Sequence, residues 1–444
     1  MSDPIQVQRT VEAVWRVEAA KVAAVVARLV GDIGLAEDLA QDAFVQALEQ
    51  WPRDGLPDNP GAWLTATARR RAIDRIRRDV NLRDKLQQVG HAEELRVADL
   101  AEADFDQALE DIDDDVLGLI FAACHPVLTA QARISLTLRM IGGLTTREIA
   151  RAFLTTESTI GQRISRAKKA LRADGVSIEV PSGAELAPRL ASVLEVIYLI
   201  FNEGYAATSG RDWVRGDLME EAIRLGRVLS ALAPHEPEVH GLVALMEIQA
   251  SRTRARIAPD GAPVLLLDQD RTTWDWALIR HALTELDRAT RHGGPRGPYV
   301  LQAAIAACHA RARTPEQTDW ARIVALYEEL RALRPSPVID LNLAVALSYA
   351  AGPAPALAVV DQLVESTALA DYHLLPSVRA DLLRKLGREE EAREEFRRAA
   401  AMTDNDAERN LLLRRAAGDG AGAEARSAPK PEVSELLSDH PAGQ

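Results

Sequence analysis

Gln162, Arg163, Arg166, Lys168 and Lys169 crowd into two helical turns of the stretch GLTTREIARAFLTTESTIGQRISRAKKALR, Gly143 to Arg172. Their chemistry is that of nucleic-acid recognition. A Gln amide and an Arg guanidinium match the hydrogen-bonding edges of adenine and guanine, and further Lys and Arg side chains meet phosphates. Thr156, Glu157, Ser158 and Thr159 precede them, where a polar turn would present the start of a helix to base edges. A second cationic cluster lies upstream. Arg69, Arg70, Arg71, Arg75, Arg77 and Arg78 stand against the single acid Asp74, and so much like charge calls for a nearby anion, although salt lets a solvated helix tolerate it. A third group, Glu37, Asp38, Gln41, Asp42 and the aromatic Phe44, has the opposite sign, and its pattern alone is that of an ordinary amphipathic helix.

These side chains need helices to hold them. Thr145 and Glu148 have capping-box spacing and predict a helix start. Ile149, Ala150 and Phe153 share one face of that helix. After the turn at Thr155–Glu157, Ile160, Ile164, Ala167 and Leu171 recur at helical spacing as an inward stripe. Together they predict a helix-turn-helix; a plain helical hairpin with a solvated basic face has the same pattern. Upstream, Ala36, Ala40, Ala43 and Ala47, widened by Phe44, Leu48 and Trp51, form the apolar side of the acidic helix. Trp63, Leu64, Ile73 and Ile76 are the expected buried side of the arginine helix.

The chain has 444 residues and a formal net charge of −13. Its length allows two to four domains, and its composition predicts an all-α protein. Residues 10–79 form one helical domain, broken at Pro52–Gly61, and residues 80–115 an acidic connector. Glu93–Asp115 holds eleven acids against one Arg, which predicts a solvated segment. Residues 116–172 form the helix-turn-helix domain and 173–185 a linker. Residues 186–415 form a larger helical domain, and 416–444 a Gly/Ala/Ser/Pro-rich tail expected to be disordered. Gly352 and Gly387 mark two helix–turn–helix units about 35 residues apart, a period that suits a tetratricopeptide-like solenoid. Phe201–Gly210 reads as a turn-rich insert.

Several classes are excluded at this level. Cys124 and Cys308 are the only cysteines, giving neither a disulfide framework nor a zinc set. Cys124–His125 lack further ligands at metal spacing. No phosphate loop, metalloprotease motif or nucleophile elbow is present, so no catalytic residue, metal or cofactor is expected. The start lacks a signal-peptide pattern and no run is long enough to span a bilayer. The expected location is the reducing cytoplasm, with no membrane association.

In order, the chain shows an acidic helix ending in Trp51, a Pro/Gly break, a Trp63–Leu64 helix rich in arginine, an acidic linker and a helix-turn-helix. This order resembles an extracytoplasmic-function (ECF) sigma factor, a specificity subunit of bacterial RNA polymerase. AEDLAQDAF resembles the clamp-binding helix of region two. AWLTATARRRAIDRIRR resembles the segment that reads the −10 element, and LTTREIARAFLTTESTIGQRISRAKKALR resembles region four, which reads the −35 element. The family often has Asn at Arg70 and Lys at Gly161. AFLTTESTIGQRISRAKKALR, LIFAACHP and LIFNEGYAATSG together resemble a subgroup with a long C-terminal tetratricopeptide-like domain.

The resemblance implies a role for each cluster. Glu37, Asp38, Gln41, Asp42 and Phe44 would meet the polymerase clamp. Trp63, Arg69, Arg70, Arg71, Asp74, Arg75, Arg77 and Arg78 would serve the −10 element. Thr156, Glu157, Ser158, Thr159, Gln162, Arg163, Arg166, Lys168 and Lys169 would serve the −35 element. Polymerase would then supply much of the grip on DNA, so local basic faces suffice in an acidic chain. The C-terminal domain would contact the sigma core in cis or bind a separate regulatory protein. The acidic linker is either a tether or a mimic of nucleic acid in polymerase channels. The alternative is a stand-alone helix-turn-helix regulator with a tetratricopeptide-like sensor, which leaves the arginine helix and the acidic helix without a role.

Overall fold

Alanines spaced by one helical turn make a flat seam, and the first three helices use one to pack closely. In the computed structural model, which describes residues 4–86, 112–153, 155–207, 216–258, 264–291, 295–366, 369–403 and 406–418, these are α1 (Pro4–Val30), α2 (Ile33–Asp54) and α3 (Pro60–Leu86). Ala36, Ala40, Ala43, Ala47 and Trp51 of α2 are buried, as their spacing predicts. Asp32 opens α2, its carboxylate accepting from Gly34 N and Leu35 N at 2.7 and 3.1 Å. Gly55, at φ +88°, ends it. Asn59 Oδ1 accepts from Ala62 N at 3.0 Å at the start of α3, where Pro60 fills the first turn. The buried side of α3 is Leu64, Thr67, Ala68 and Ala72. Trp63, Ile73 and Ile76 are only half-buried, because the small residues let α3 approach its neighbours along a different line.

The next group is α4 (Ile112–Ala123), α5 (Ala130–Met140), α6 (Thr146–Ala152) and α7 (Glu157–Ala173). The connector read as 80–115 is therefore helical at both ends, to Leu86 and from Ile112; residues 87–111 lie outside the described residues. The capping box forms: Thr145 N donates to Glu148 Oε2 at 2.8 Å, and Glu148 N donates to Thr145 Oγ1 at 3.1 Å. Thr156 Oγ1 caps α7 by accepting from Thr159 N at 3.1 Å. The stripe Ile160, Ile164, Ala167 and Leu171 is buried.

Two compact units divide the chain at Ile200/Phe201, inside α8 (Leu186–Ala207). The sequence boundary at 186 thus shifts. The first half of α8 is tied into the first unit: Arg133 donates to Ser192 Oγ and Glu195 Oε2 at 2.6 and 3.0 Å, and Ser192 Oγ donates to Cys124 O at 2.6 Å. Phe201–Ala207 continue the helix, so this part of the expected turn-rich insert is not a turn; 208–210 lie outside the described residues.

The second unit continues with α9 (Gly216–Leu232), α10 (Pro237–Ala250), α11 (Trp276–Arg291), α12 (Pro298–Arg311) and α13 (Trp320–Leu333). It ends with α14 (Pro337–Ala350), α15 (Pro353–Ser366), α16 (Leu374–Lys385), α17 (Glu389–Met402) and α18 (Asp406–Ala417). Gly352 and Gly387, at φ +95° and +76°, turn the α14–α15 and α16–α17 hairpins, a left-handed conformation that glycine adopts without strain. Two earlier pairs, α10 with α11 and α12 with α13, also pack helix against helix. Gly241 lets α10 and α12 touch: a Cβ there would lie 2.7 Å from Val300 N. Residues 419–444, most of the expected tail, lie outside the described residues, while Ala416 and Ala417 belong to α18. Among the described residues there is no β-strand, and no helix is long and apolar enough to cross a membrane.

Candidate nucleic-acid interface

With roughly 100° between successive residues, α7 divides into one buried stripe, two shoulders and an outer arc. Ser158, Gln162, Ser165, Arg166 and Lys169 form the exposed arc opposite the stripe. Glu157 and Thr159 are also exposed at the N-terminal turn, with Thr156. Arg163 lies on one shoulder and is half-buried. Its guanidinium points to α5, at 3.3 Å from Gln131 Oε1 and 3.5 Å from Ser135 Oγ. Lys168 and Arg172 lie on the other shoulder and turn toward α2: Lys168 pairs with Glu37, and Arg172 with Asp32. Ser165 faces outward with Gln162 and Arg166 but was not among the sequence candidates, because Ser carries no distinctive signal in a helical pattern.

The outer surface of α2 carries Asp38, Asp42, Val45 and Glu49, all exposed, at one-turn spacing. Val45 is 51% exposed, an apolar residue framed by acids. Gln41 is half-buried beside this stripe and donates to Glu37 Oε1 at 2.8 Å. Phe44 is half-buried against Trp15, ring centroids 4.8 Å apart. Glu37 does not join the outer stripe. Its carboxylate takes Arg139 Nε at 2.6 Å and the Lys168 ammonium, with its side chain 12% exposed. Burial pushes the Glu37 carboxyl up, but the charges and hydrogen bonds of Lys168 and Arg139 outweigh it and hold its pKa below the ordinary value.

On α3, Arg70, Asp74, Arg75, Arg77 and Arg78 are exposed, and Arg69 is half-buried. Arg78 Nε donates to Asp74 O at 3.1 Å. Arg71 bridges back to α2, donating to Asp42 Oδ2 at 3.2 Å and Gln46 Oε1 at 3.0 Å. Two sequence candidates, Arg71 and Asp42, therefore meet each other. Trp63 rests edge-on against Trp51, centroids 5.4 Å apart. The arrangement is thus a cationic face on α3, a polar and cationic arc on α7, and an acidic stripe on α2.

Cys124 and His125 do different jobs. The Cys124 thiol is buried within 3.3 Å of Thr137 Oγ1, and burial pushes its pKa up to about 11. His125 Nδ1 accepts from Val127 N at 3.2 Å.

Comparison with known proteins agrees with this layout. Residues 15–81 match the family model for Sigma-70 region 2, and residues 119–171 that for Sigma-70, region 4. Residues 189–290 match a family of unknown function, DUF6596. The chain is 46% identical over 379 residues to an uncharacterized protein of Rhizobium meliloti (strain 1021), spanning 85% of this chain and 88% of that one. It is 31% identical over 160 residues to the ECF RNA polymerase sigma factor SigK of Mycobacterium ulcerans (strain Agy99), 34% of this chain and 78% of SigK. It is 28% identical over 172 residues to the probable ECF RNA polymerase sigma factor SigI of Mycobacterium tuberculosis (strain CDC 1551 / Oshkosh), 38% of this chain and 57% of SigI. No solved structure is significantly similar. The region 2 and region 4 matches, in the order of the acidic helix, the arginine helix and the helix-turn-helix, together with the similarity to curated ECF sigma factors, place the chain in the extracytoplasmic-function group of the sigma-70 family, with a larger helical domain added behind region four.

Proposed function

We propose that this sigma factor docks on the core polymerase clamp through the outer side of α2, with Asp38, Asp42 and Val45 at its centre and Gln41 and Phe44 at its edge. Opposite charge on the clamp would favour encounter and register. The α3 face formed by Arg69, Arg70, Arg75, Arg77 and Arg78 serves the −10 element, with Trp63 supporting it from behind. The α7 arc serves the −35 element: Ser158, Gln162 and Arg166 lie toward base edges, and Lys169 toward phosphate. The observation that carries this reading is the pairing of two exposed cationic helix faces with an exposed acidic stripe in one unit. The net charge of −13 fits it, because the polymerase would contribute much of the attraction for DNA.

The C-terminal unit acts as a tetratricopeptide-like module that modulates this activity from within the same chain, at the high local concentration that linkage provides. Its successive packed helix pairs, α10–α11 through α16–α17, support that reading.

Reconstitution tests both parts. Purified chain is added to core RNA polymerase and genomic DNA, and initiation sites are mapped. New, chain-dependent start sites are expected, and the chain ending at Ile200 should give an altered yield from them. Duplex binding without polymerase and without initiation would instead make the protein a stand-alone regulator. Equal yield from the full and shortened chains would remove the regulatory role of the C-terminal unit.

A further inference from the structure

The chain leaves α7 by a fixed path. Gly175, at φ +64°, closes the helix end: Gly175 N donates to Arg172 O at 3.2 Å and Val176 N to Leu171 O at 3.1 Å, which turns the backbone away from the helix axis. Ile178 is buried beyond this turn, and its carbonyl passes so near Gly118 of α4 that a Cβ on Gly118 would lie 2.9 Å from it. The first half of α8 then closes the end of α4. A helix C-terminus leaves carbonyls without partners, and α8 supplies donors: Arg189 Nη2 to Phe121 O at 2.9 Å and Ser192 Oγ to Cys124 O at 2.6 Å. Arg133 of α5 donates to Ser192 Oγ and Glu195 Oε2 at 2.6 and 3.0 Å. It is 8% exposed, so Glu195 is the counter-ion that a buried guanidinium requires. At about 100° per residue, Arg133 lies on the side of α5 away from Gln131 and Ser135, and those two residues face Arg163 of α7. Every residue of α5 from Ala132 to Leu138 is buried. The helix is thus a wall between α7 on one side and α8 on the other.

We infer that residues 174–195 form a brace that sets the pose of α7 for the −35 element, with Arg133 and Gly118 as positioning residues that touch no DNA. The role in −35 reading rests on the function proposed above; the hold on α7 does not. A recognition helix must be placed to within about 0.5 Å and 10–20° for its side chains to meet base edges. The buried stripe of α7 is only Ile160, Ile164, Ala167 and Leu171, a narrow contact about which the helix can roll. Two further constraints remove that freedom. The wall that α7 rests on is held from behind by the Arg133–Glu195 pair, and the exit from α7 is seated on α4 at Gly118. The region 4 match ends at residue 171, whereas the contacts that hold α4 and α5 continue to Glu195. The reading head of this chain therefore extends beyond the helix-turn-helix into α8.

The test uses holoenzyme reconstituted with the full chain and two templates: a promoter recovered by start-site mapping, and the same promoter with its −35 block scrambled. The readout is the ratio of the two yields, from which the active fraction of protein cancels, so simple loss of stability does not move it. Arg133→Met and, at a separate contact, Gly118→Ala should each lower the ratio at least about 5-fold, the effect of losing one base contact. Arg133→Lys keeps a cation against Glu195 and should retain most of the native ratio. Gly241→Ala, which crowds α10 in the other unit, should leave the ratio unchanged. An unchanged ratio in both Arg133→Met and Gly118→Ala, or an equal fall with Gly241→Ala, overturns the brace. Hydrogen exchange decides for any variant that does not transcribe: amides of α7 should exchange at least about tenfold faster while those of α3 keep their rates. Unchanged exchange in α7, or equal acceleration in α3, overturns the brace as well. Absence of initiation by the unsubstituted chain overturns the sigma reading, and the exchange of α7 then judges by itself whether the brace holds that helix.

Discussion

Arg166 and Arg163 are three residues apart on one helix, yet the structure gives them different surroundings and so different expected consequences on removal. Arg166 lies on the exposed arc of α7, whereas Arg163 points toward Gln131 and Ser135 of α5. If the arc faces the −35 duplex, Arg166 neutralises a phosphate or meets a base edge beside one. Each phosphate contact contributes about −0.9 to the slope of log affinity against log salt. Between 50 and 200 mM salt, losing one contact therefore removes roughly a 3.5-fold part of the salt-dependent fall in affinity, and losing two removes about 12-fold. Arg166→Ala should flatten the slope by about 0.9, and Arg166→Ala with Lys169→Ala by about 1.8. Arg163→Ala should leave the slope unchanged and cost up to ~1 kcal/mol of stability, given two long hydrogen bonds at a partly exposed site. The assay is binding of the reconstituted holoenzyme to a promoter duplex recovered by start-site mapping, titrated at four or more salt concentrations. Equal flattening by Arg163→Ala and Arg166→Ala would mean that the DNA-facing side of α7 is rotated toward the α5 shoulder.

Two glycines on helices should respond in opposite directions to alanine. Gly161 of α7 has no atom within 4 Å of an added Cβ, so Gly161→Ala should stabilise the helix by about 0.5–1 kcal/mol, slowing hydrogen exchange in α7 a few-fold. Gly241→Ala pushes a methyl onto the Val300 backbone, which cannot step aside as a side chain can; a loss of about 1–3 kcal/mol should accelerate exchange throughout α10. An accelerated α7 or an unchanged α10 would refute the packing described. Cys124, fully buried with a pKa of about 11, should resist iodoacetamide at pH 8 while the half-buried Cys308 is alkylated; mass spectrometry showing faster labelling at Cys124 would contradict its burial.

The sequence by itself determined the elements and their order. The Thr145–Glu148 capping box, the stripe Ile160, Ile164, Ala167 and Leu171, the alanine seam of α2 and the turns at Gly352 and Gly387 all formed as read. Each depends on neighbours within about one or two helical turns, so the local pattern contains the necessary information. The tertiary structure alone decided what the shoulders of those helices meet. Periodicity distinguishes the buried side from the solvent side, but a residue between them takes whatever the next packed helix offers. That is why Glu37 faces Arg139 and Lys168 rather than the outer stripe, why Arg163 turns to α5, and why the first half of α8 belongs with region four. The same reason applies to Trp63 and Ile73. Their apolar character is evident, but Leu64, Ala68 and Ala72 took the interior because small side chains let the helix axes approach.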